Sequence, residues 1–261
     1  MKEFVIGDIH GAHKALIQVL ERSNFDYDND KLIVLGDVTD GWPEVSKCFD
    51  ELFKIKNLIY CVGNHDMWAI ESTKGDMSQL EFQMWVQQGG EETLKSYENN
   101  TPLFINHMSR IKDIMKLYYI DEKNRLFLHA GYDPQFPINK QLNPREYYWN
   151  RSLYKKLSKG LTVNNVNQFL EIYIGHTPTI FSRHVYGYEN GLPLMFGNLW
   201  NMDTGASYSG KLSLMEINSK ELYQSDPVFT LYPNHKGRNG MLLMNLNPDE
   251  FNLFPEEEWI K

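Results

Sequence analysis

The chain has 261 residues, 42% of them hydrophobic and 13% aromatic, with a formal net charge of −8. That length and apolar content support one substantial buried core and exclude a disordered chain, and no apolar run approaches the ~20 residues that cross a bilayer. The acidic balance argues against a broad surface for duplex nucleic acid, although bound divalent cations would add positive charge that the formal count omits.

The sequence opens MKEFVIGDIHG, so a strand and a polar motif begin almost at once. No room is left for a secretory leader, and a cytoplasmic location with no membrane partner is expected. Residues 4–6 read as a short buried strand that ends at Gly7-Asp8, after which Leu16, Val19 and Leu20 fall at helical spacing. Residues 31–35 repeat the strand pattern and end at Gly36-Asp37. Pro43 then sits where a helix can start, with Val45, Cys48, Phe49, Leu52 and Phe53 on one apolar face. A third strand at 57–62 ends at Gly63-Asn64-His65-Asp66. Strand, polar loop and helix recurring in order predict a parallel α/β layer, in which sites collect at the carboxyl ends of the strands.

The stretch 67–119 is rich in Gln, Glu, Lys and Met, with a break at Gly89-Gly90, and is expected to be a mostly helical cap beside the site. Further strands are predicted at 125–128, ending at His129-Ala130-Gly131, and at 171–174, ending at Gly175-His176-Thr177-Pro178. Alternation within 197–224 suggests antiparallel strands that close the sheet. The tail 226–261 has no clear periodicity beyond a short apolar run at 241–246. The organisation expected is therefore one domain over 1–225 and a C-terminal extension, 226–261, packed on it. Cys48 and Cys61 lie in apolar contexts and read as buried hydrophobes in a reducing compartment.

Five predicted strand ends gather Asp8 with His10, Asp37 with Asp40, Asn64 with His65, then His129 and His176. Any one of these could be a turn or capping residue. The set holds four of the eight histidines, and His is not a preferred cap. Mixed carboxylate and imidazole donors suit borderline first-row metals such as Mn, Fe, Zn or Ni, whereas all-oxygen sites for Mg or Ca need no imidazole. Two such ions can activate a water between them and stabilise an in-line displacement at phosphorus.

The motifs GDIHG, GDVTD, GNHD, HAG and GHTP, in that order, resemble the calcineurin-like metallophosphoesterase superfamily. The resemblance is to its phosphoprotein-phosphatase-like branch, with phage lambda-type protein phosphatases and bacterial symmetrical diadenosine tetraphosphatases. It is carried further by WVQQGGEETLKSY, IDEKNRLFLHAGYDP, YYWNR and NMDTGASYSGKL, and runs from Gly7 to about Leu212. It implies a four-layer α-β-β-α sandwich, two mixed sheets flanked by helices, with a helical cap insertion. It also implies two divalent ions, Mn²⁺ ahead of Fe, Zn or Ni. One would be held by Asp8, His10 and Asp37, the other by Asp37, Asn64, His129 and His176. His65 would be the general acid and Asp40 its orienting partner.

The implied activity is hydrolysis of a phosphorylated substrate (phosphoprotein, nucleotide or small phosphoester), with a phosphomonoesterase ahead of a phosphodiesterase or dinucleoside polyphosphate or RNA-end hydrolase. A non-catalytic scaffold of the same fold is the reading from another class. One departure stands out: the family usually carries Asp-Arg-Gly where this chain has Asp40-Gly41-Trp42. Losing that guanidinium should weaken the hold on a dianionic phosphate. Arg151, in YYWNR, and Trp42 are the substrate-binding residues expected in its place, against plain readings as a surface cation and a turn-packing ring. The loop NHKGRNG, with His235, Lys236 and Arg238, reads as a solvated turn, or alternatively as a phosphate-recognition loop.

Overall fold

The three short apolar runs at the start of the chain become neighbouring parallel strands, β1 (Glu3–Ile6), β2 (Lys31–Val34) and β3 (Asn57–Cys61). The helices between them are α1 (His13–Arg22) and α2 (Val45–Leu52). The computed structural model describes residues 1–75, 77–163, 166–182 and 191–238. The apolar run expected at 241–246 and the far part of the 226–261 extension lie outside these residues. The periodicity of α1 is realised in full: Ala15, Leu16, Val19 and Leu20 are buried on one face, as the 3.6-residue repeat requires.

The region expected to be a helical cap contains α3 (Asn64–Ser72), α4 (Gln79–Trp85), α5 (Glu91–Ser96) and α6 (Thr101–Ile114). Ser78 caps α4 by accepting the Glu81 N–H while the Glu81 side chain accepts the Ser78 N–H, a reciprocal box that satisfies two otherwise orphaned donors. The break at Gly89-Gly90 is a kink, with Gly89 out of helical backbone at φ 114°. The helical stretch stops short of residue 119. Two short strands, β4 (Met115–Lys116) and β5 (Tyr118–Ile120), carry the chain from one sheet to the other. The remaining elements are β6 (Leu126–Leu128), α7 (Glu146–Trp149), α8 (Ser152–Ser158), β7 (Ile172–Ile174), β8 (Leu194–Phe196), β9 (Leu199–Asn201), β10 (Ser213–Glu216), β11 (Leu222–Gln224) and α9 (Val228–Leu231).

The first sheet has the order β11-β10-β1-β2-β3-β4, the second β5-β6-β7-β9-β8. Both are mixed: β1 to β4 run parallel with β10 and β11 antiparallel beside them, and β6, β7 and β9 run parallel between antiparallel β5 and β8. The inner faces meet through Val5, Ile33, Leu35, Cys61, Phe127, Tyr173, Met202 and Met215. Phe127 and Tyr173 stack at the join with centroids 5.0 Å apart. A larger core lies between the first sheet and α1, α2, α3 and α6, and a third between the second sheet and α8. The result is the α-β-β-α layering with an inserted helical segment. Strands buried on both faces read as continuous apolar runs rather than alternating ones, which is why they were visible in the sequence.

Candidate active site and metal centre

Every site loop leaves the carboxyl end of a parallel strand, and the two sheets bring those ends to one place. Asp8 and His10 follow β1, Asp37 and Asp40 follow β2, and Asn64 and His65 open α3 just after β3. His129 follows β6 and His176 follows β7, so the second sheet supplies the remaining imidazoles. Asp8, His10, Asp37, Asp40, Asn64, His65, His129 and His176 are all buried, none more than 5% exposed. Four of them hold left-handed backbone: His10 at φ 50°, Asp37 at 51°, Asp40 at 71° and His176 at 68°. That conformation costs a non-glycine residue roughly 1–2 kcal/mol, so the surrounding structure must impose it.

Asp66 does much of the imposing. Its carboxylate accepts the backbone N–H groups of Gly63 (3.0 Å), Asp37 (2.8 Å), Val38 (2.9 Å) and Thr39 (3.2 Å), and the Thr39 hydroxyl at 3.2 Å. The turn bearing Asp37 is thereby tied to the start of α3. Gly63 allows this close approach: a Cβ there would lie 2.0 Å from Asp37 Oδ1. Asp8 in turn accepts the His176 N–H at 3.1 Å, a bond across the two sheets.

Two clusters of metal-ligating atoms share Asp37. One comprises His10, Asp37 and His65, the other Asp37, His129 and His176, with all donor atoms of each cluster within 4.8 Å of one another. Asp8 Oδ2 stands 4.0 Å from His10 Nε2, and Asn64 Oδ1 is 3.1 Å from His129 Nε2. The tautomers follow from backbone carbonyls, which can only accept. His10 Nδ1 donates to Thr39 O at 3.0 Å and His129 Nδ1 to Leu35 O at 2.8 Å. In the neutral rings both Nε2 lone pairs therefore face the centre. His129 Nε2 meets Asn64 Oδ1 at 3.1 Å and Asp37 Oδ2 at 3.3 Å, both of which are acceptors. Acceptors converging on acceptors in a buried place suit cations between them, and the donor set fits two divalent ions. The carbonyl-held Nδ1–H groups are the outer partners that metal-bound histidines normally have.

The electrostatics agree. Burial, with Asp203 and Asp37 adjacent, pushes the Asp8 carboxyl well above the ordinary range. Burial and Asp37 lift Asp66 to about 6. Burial also holds His10 well below the usual imidazole value, and burial with the nearby Arg151 does the same to His176. At Asp37 burial is outweighed by His129, His65 and His10, and its carboxyl falls well below 3.8. Carboxylates buried close together, with burial opposing protonation of His10 and His176, make a site that favours added positive charge.

His65 and Asp40 form a separate pair beside the centre. His65 Nδ1 lies 2.6 Å from Asp40 Oδ2, and Asp40 also accepts from Trp85 Nε1 at 3.0 Å and from the Thr93 hydroxyl at 2.6 Å. Asp66, Trp85 and Thr93 were not singled out in the sequence. The Trp85 and Thr93 signal lay in WVQQGGEETLKSY, whose first Trp and whose Thr reach back to Asp40. The inserted helices are thus support for the dyad as much as a cover. Trp68 packs edge-on against His65 at 5.1 Å, and Trp149 against His176 at 6.0 Å, so two half-buried indoles wall the site.

The other expected residues divide. Arg151 precedes α8 and reaches the site, its Nη2 donating to His176 O at 3.5 Å. Trp42 is wholly buried, donates to Ala206 O at 2.8 Å and stacks on Tyr232 at 5.3 Å, so it offers no face to a substrate. Its apolar surface is satisfied by the core, and the turn-packing reading is the correct one. His107 is buried against Phe49, Phe53 and Tyr97. His184 lies outside the described residues. No described helix is long and apolar enough to cross a membrane.

A sandwich of two mixed sheets with paired His/Asp clusters at its strand ends defines a metallophosphoesterase-type centre. The pattern of the calcineurin-like phosphoesterase family matches residues 1–198, and the chain belongs to that family. It is 26% identical over 219 residues to serine/threonine-protein phosphatase 1 of Salmonella typhimurium, covering 82% of this chain and 91% of that protein. It is 23% identical over 225 residues to a symmetrical bis(5'-nucleosyl)-tetraphosphatase of a Marinomonas species, covering 85% and 72%. Among solved structures, a metallophosphoesterase from Sphaerobacter thermophilus superposes with a TM-score of 0.54 at 16% identity, covering 96% of this chain and 97% of that one.

Proposed function

We propose that the protein is a binuclear metal-dependent phosphomonoesterase of the protein-phosphatase-like type, acting in the cytoplasm. The observation that carries the reading is Asp37 shared between two buried clusters, His10–Asp37–His65 and Asp37–His129–His176, with His65 also paired to Asp40. In this reading Asp8, His10 and Asp37 hold one ion, and Asp37, Asn64, His129 and His176 hold the other, Mn²⁺ being the first choice. Two such ions supply Lewis acidity and an activated water when bound.

The chain's own residues do the rest. Asp40 accepts the Nδ1–H of His65 and fixes that tautomer, leaving Nε2 as the ring atom that gains and gives the proton. Trp85 and Thr93 hold Asp40 so that the dyad does not swing. His65 then protonates the leaving oxygen of the ester, the usual work of a general acid. Arg151, beside His176, contacts the phosphate, and the walls formed by Trp68 and Trp149 limit water around it. The test is turnover of p-nitrophenyl phosphate, bis-p-nitrophenyl phosphate and diadenosine tetraphosphate by metal-stripped protein, with Mn²⁺, Ni²⁺, Zn²⁺ or Mg²⁺ restored singly. Metal-dependent preference for the monoester supports the proposal. Preference for the diester or the dinucleotide replaces it with the diesterase or pyrophosphohydrolase reading, and metal-loaded protein without turnover leaves only the scaffold.

A further inference from the structure

The loop after α9 sends one cation into the site. Gly237, at φ 55°, lies flat on the Trp42 indole, where a Cβ would come within 2.5 Å of the ring. The next residue, Arg238, is anchored by its N–H to Ser207 O at 2.9 Å, and its guanidinium lies over the Tyr208 ring, 5.4 Å from the centroid. Its stem crosses the turn that bears Asp40. A Cβ placed on Gly41 would lie 3.6 Å from Arg238 Cγ and 3.3 Å from His10 Cβ, so the stem runs against the His10 loop. Nη2 donates to Gln88 Oε1 at 2.8 Å, beside the kink whose Gly89 carbonyl receives the Gly41 N–H.

Nε is buried and has no partner among the described residues. No carboxylate of the described residues pairs with this guanidinium. Leaving a guanidinium N–H buried and unsatisfied costs stability that a merely structural stem would not need to incur. Trp42, Gly237, Ser207, Tyr208 and Gln88 together form a mount that presents a cation beside His10, and an anion is what completes it.

We propose that Arg238 binds the phosphate of the substrate, reaching it across Gly41 from the C-terminal segment and supplying the guanidinium that position 41 lacks. This rests on the phosphoesterase reading above. With Arg151 near His176 on the other side, the phosphate is held between two arginines, an arrangement that favours a doubly charged terminal phosphate over a diester.

The experiment is calorimetric titration of inorganic phosphate into the full-length Mn²⁺-loaded protein and its Arg238→Ala, Arg238→Lys and Lys236→Ala variants, each checked first for metal content. Lys236 is an exposed cation in the same loop. Arg238→Ala should weaken phosphate roughly 10- to 100-fold, the range of a lost charge-assisted bidentate contact. Arg238→Lys should fall between, because an ammonium cannot bind two oxygens as a planar fork. Lys236→Ala should bind as the parent does. In turnover, KM for p-nitrophenyl phosphate should rise more than kcat falls, and added guanidinium at sub-denaturing concentration should partly restore Arg238→Ala. Equal phosphate affinity in Arg238→Ala and parent, or equal weakening by Lys236→Ala, would overturn the proposal. Phosphate binding that depends on Arg238 in a protein that hydrolyses no phosphoester would sink the phosphoesterase reading and leave Arg238 as an anion ligand.

Discussion

Replacing Asp40 by asparagine keeps the shape of a wholly buried side chain and removes its charge. The neighbours decide how the new amide points. The Thr93 hydroxyl already accepts the Asp40 N–H at 2.8 Å and can rotate to accept a second donor. The amide nitrogen therefore turns to Thr93 and the amide oxygen stays towards His65, which keeps its tautomer. What is lost is the charge on that bond: about 1.5–3 kcal/mol for an ionic hydrogen bond against about 0.5–1.5 for a neutral one. A difference of about 1–2 kcal/mol in holding the imidazolium corresponds to roughly 5- to 30-fold in rate. The Trp85 N–H, which touches both carboxylate oxygens at 3.0 Å, then opposes an amide N–H on one side and displaces the dyad further. A fall in kcat of about 10²-fold is expected, at the lower edge of what a general acid contributes. The assay is kcat for p-nitrophenyl phosphate and for a phosphoserine peptide, with bound metal measured in parallel. Nitrophenolate leaves without much help, so its defect should be the smaller of the two, and metal content should be unchanged. Equal defects on both substrates, or no defect, would show that His65–Asp40 does not protonate the leaving group.

Other outcomes follow from the same geometry. Gly63→Ala puts a methyl group 2.0 Å from Asp37 Oδ1 and 2.4 Å from its backbone nitrogen, so Asp37 must move. Elemental analysis should find metal and activity lost together, with stability lowered by about 1–3 kcal/mol, and full metal occupancy would count against Asp37 as the shared ligand. At Glu3, burial works to raise the carboxyl pKa, and hydrogen bonds from Lys31 and Arg125 more than offset it, leaving it below the ordinary 4.5. A depressed carboxylate stabilises the fold above its unfolded pKa and loses that contribution as pH falls through its folded one. Denaturant titrations should therefore show the stability gap between parent and Glu3→Gln closing as pH drops below 4.5, and a constant gap would refute the linkage. Cys48 and Cys61 are fully buried, and burial pushes the Cys61 thiol up to about 12 and that of Cys48 well above its usual value. Neither should react with a thiol reagent until the protein unfolds, and labelling in native protein at the unfolded rate would contradict the packing.

The candidate metal ligands were legible because each follows a short apolar run that reads as a buried strand, and because histidine is not a preferred cap or turn residue to find gathered at strand ends. The layers were legible through the superfamily resemblance, since periodicity gives a parallel layer without saying that a second sheet lies against it. What could not be read depends on partners far apart in the chain. Asp66 looks like an ordinary acid in the first turn of a helix, yet it shapes a turn some thirty residues earlier. Trp85 and Thr93 meet Asp40 only because the kink at Gly89 turns the inserted helices back. The apolar surface of Trp42 fits a ligand face and a core equally well, and only the stacking with Tyr232 separates them. The strands at residues 115–120 are too short to leave a pattern and form because the chain must cross between sheets.

The candidate metal centre is a seam. Asp8, His10, Asp37 and Asn64 hang from one sheet and His129 and His176 from the other, so its dimensions are those of the gap between two independently hydrogen-bonded layers. Nothing within either ladder fixes that gap. It is gauged by the apolar side chains that meet between the sheets, Val5, Ile33 and Met215 from one and Phe127, Tyr173 and Met202 from the other, and by the His176–Asp8 and His129–Leu35 bonds that cross the join. Slippage of 1 Å along the join would leave every ligand in its own loop and still pull the two halves of the centre out of alignment, an error that can cost ~10²-fold in rate. Core substitutions at this join thus belong to the enzymology of the protein as well as to its stability.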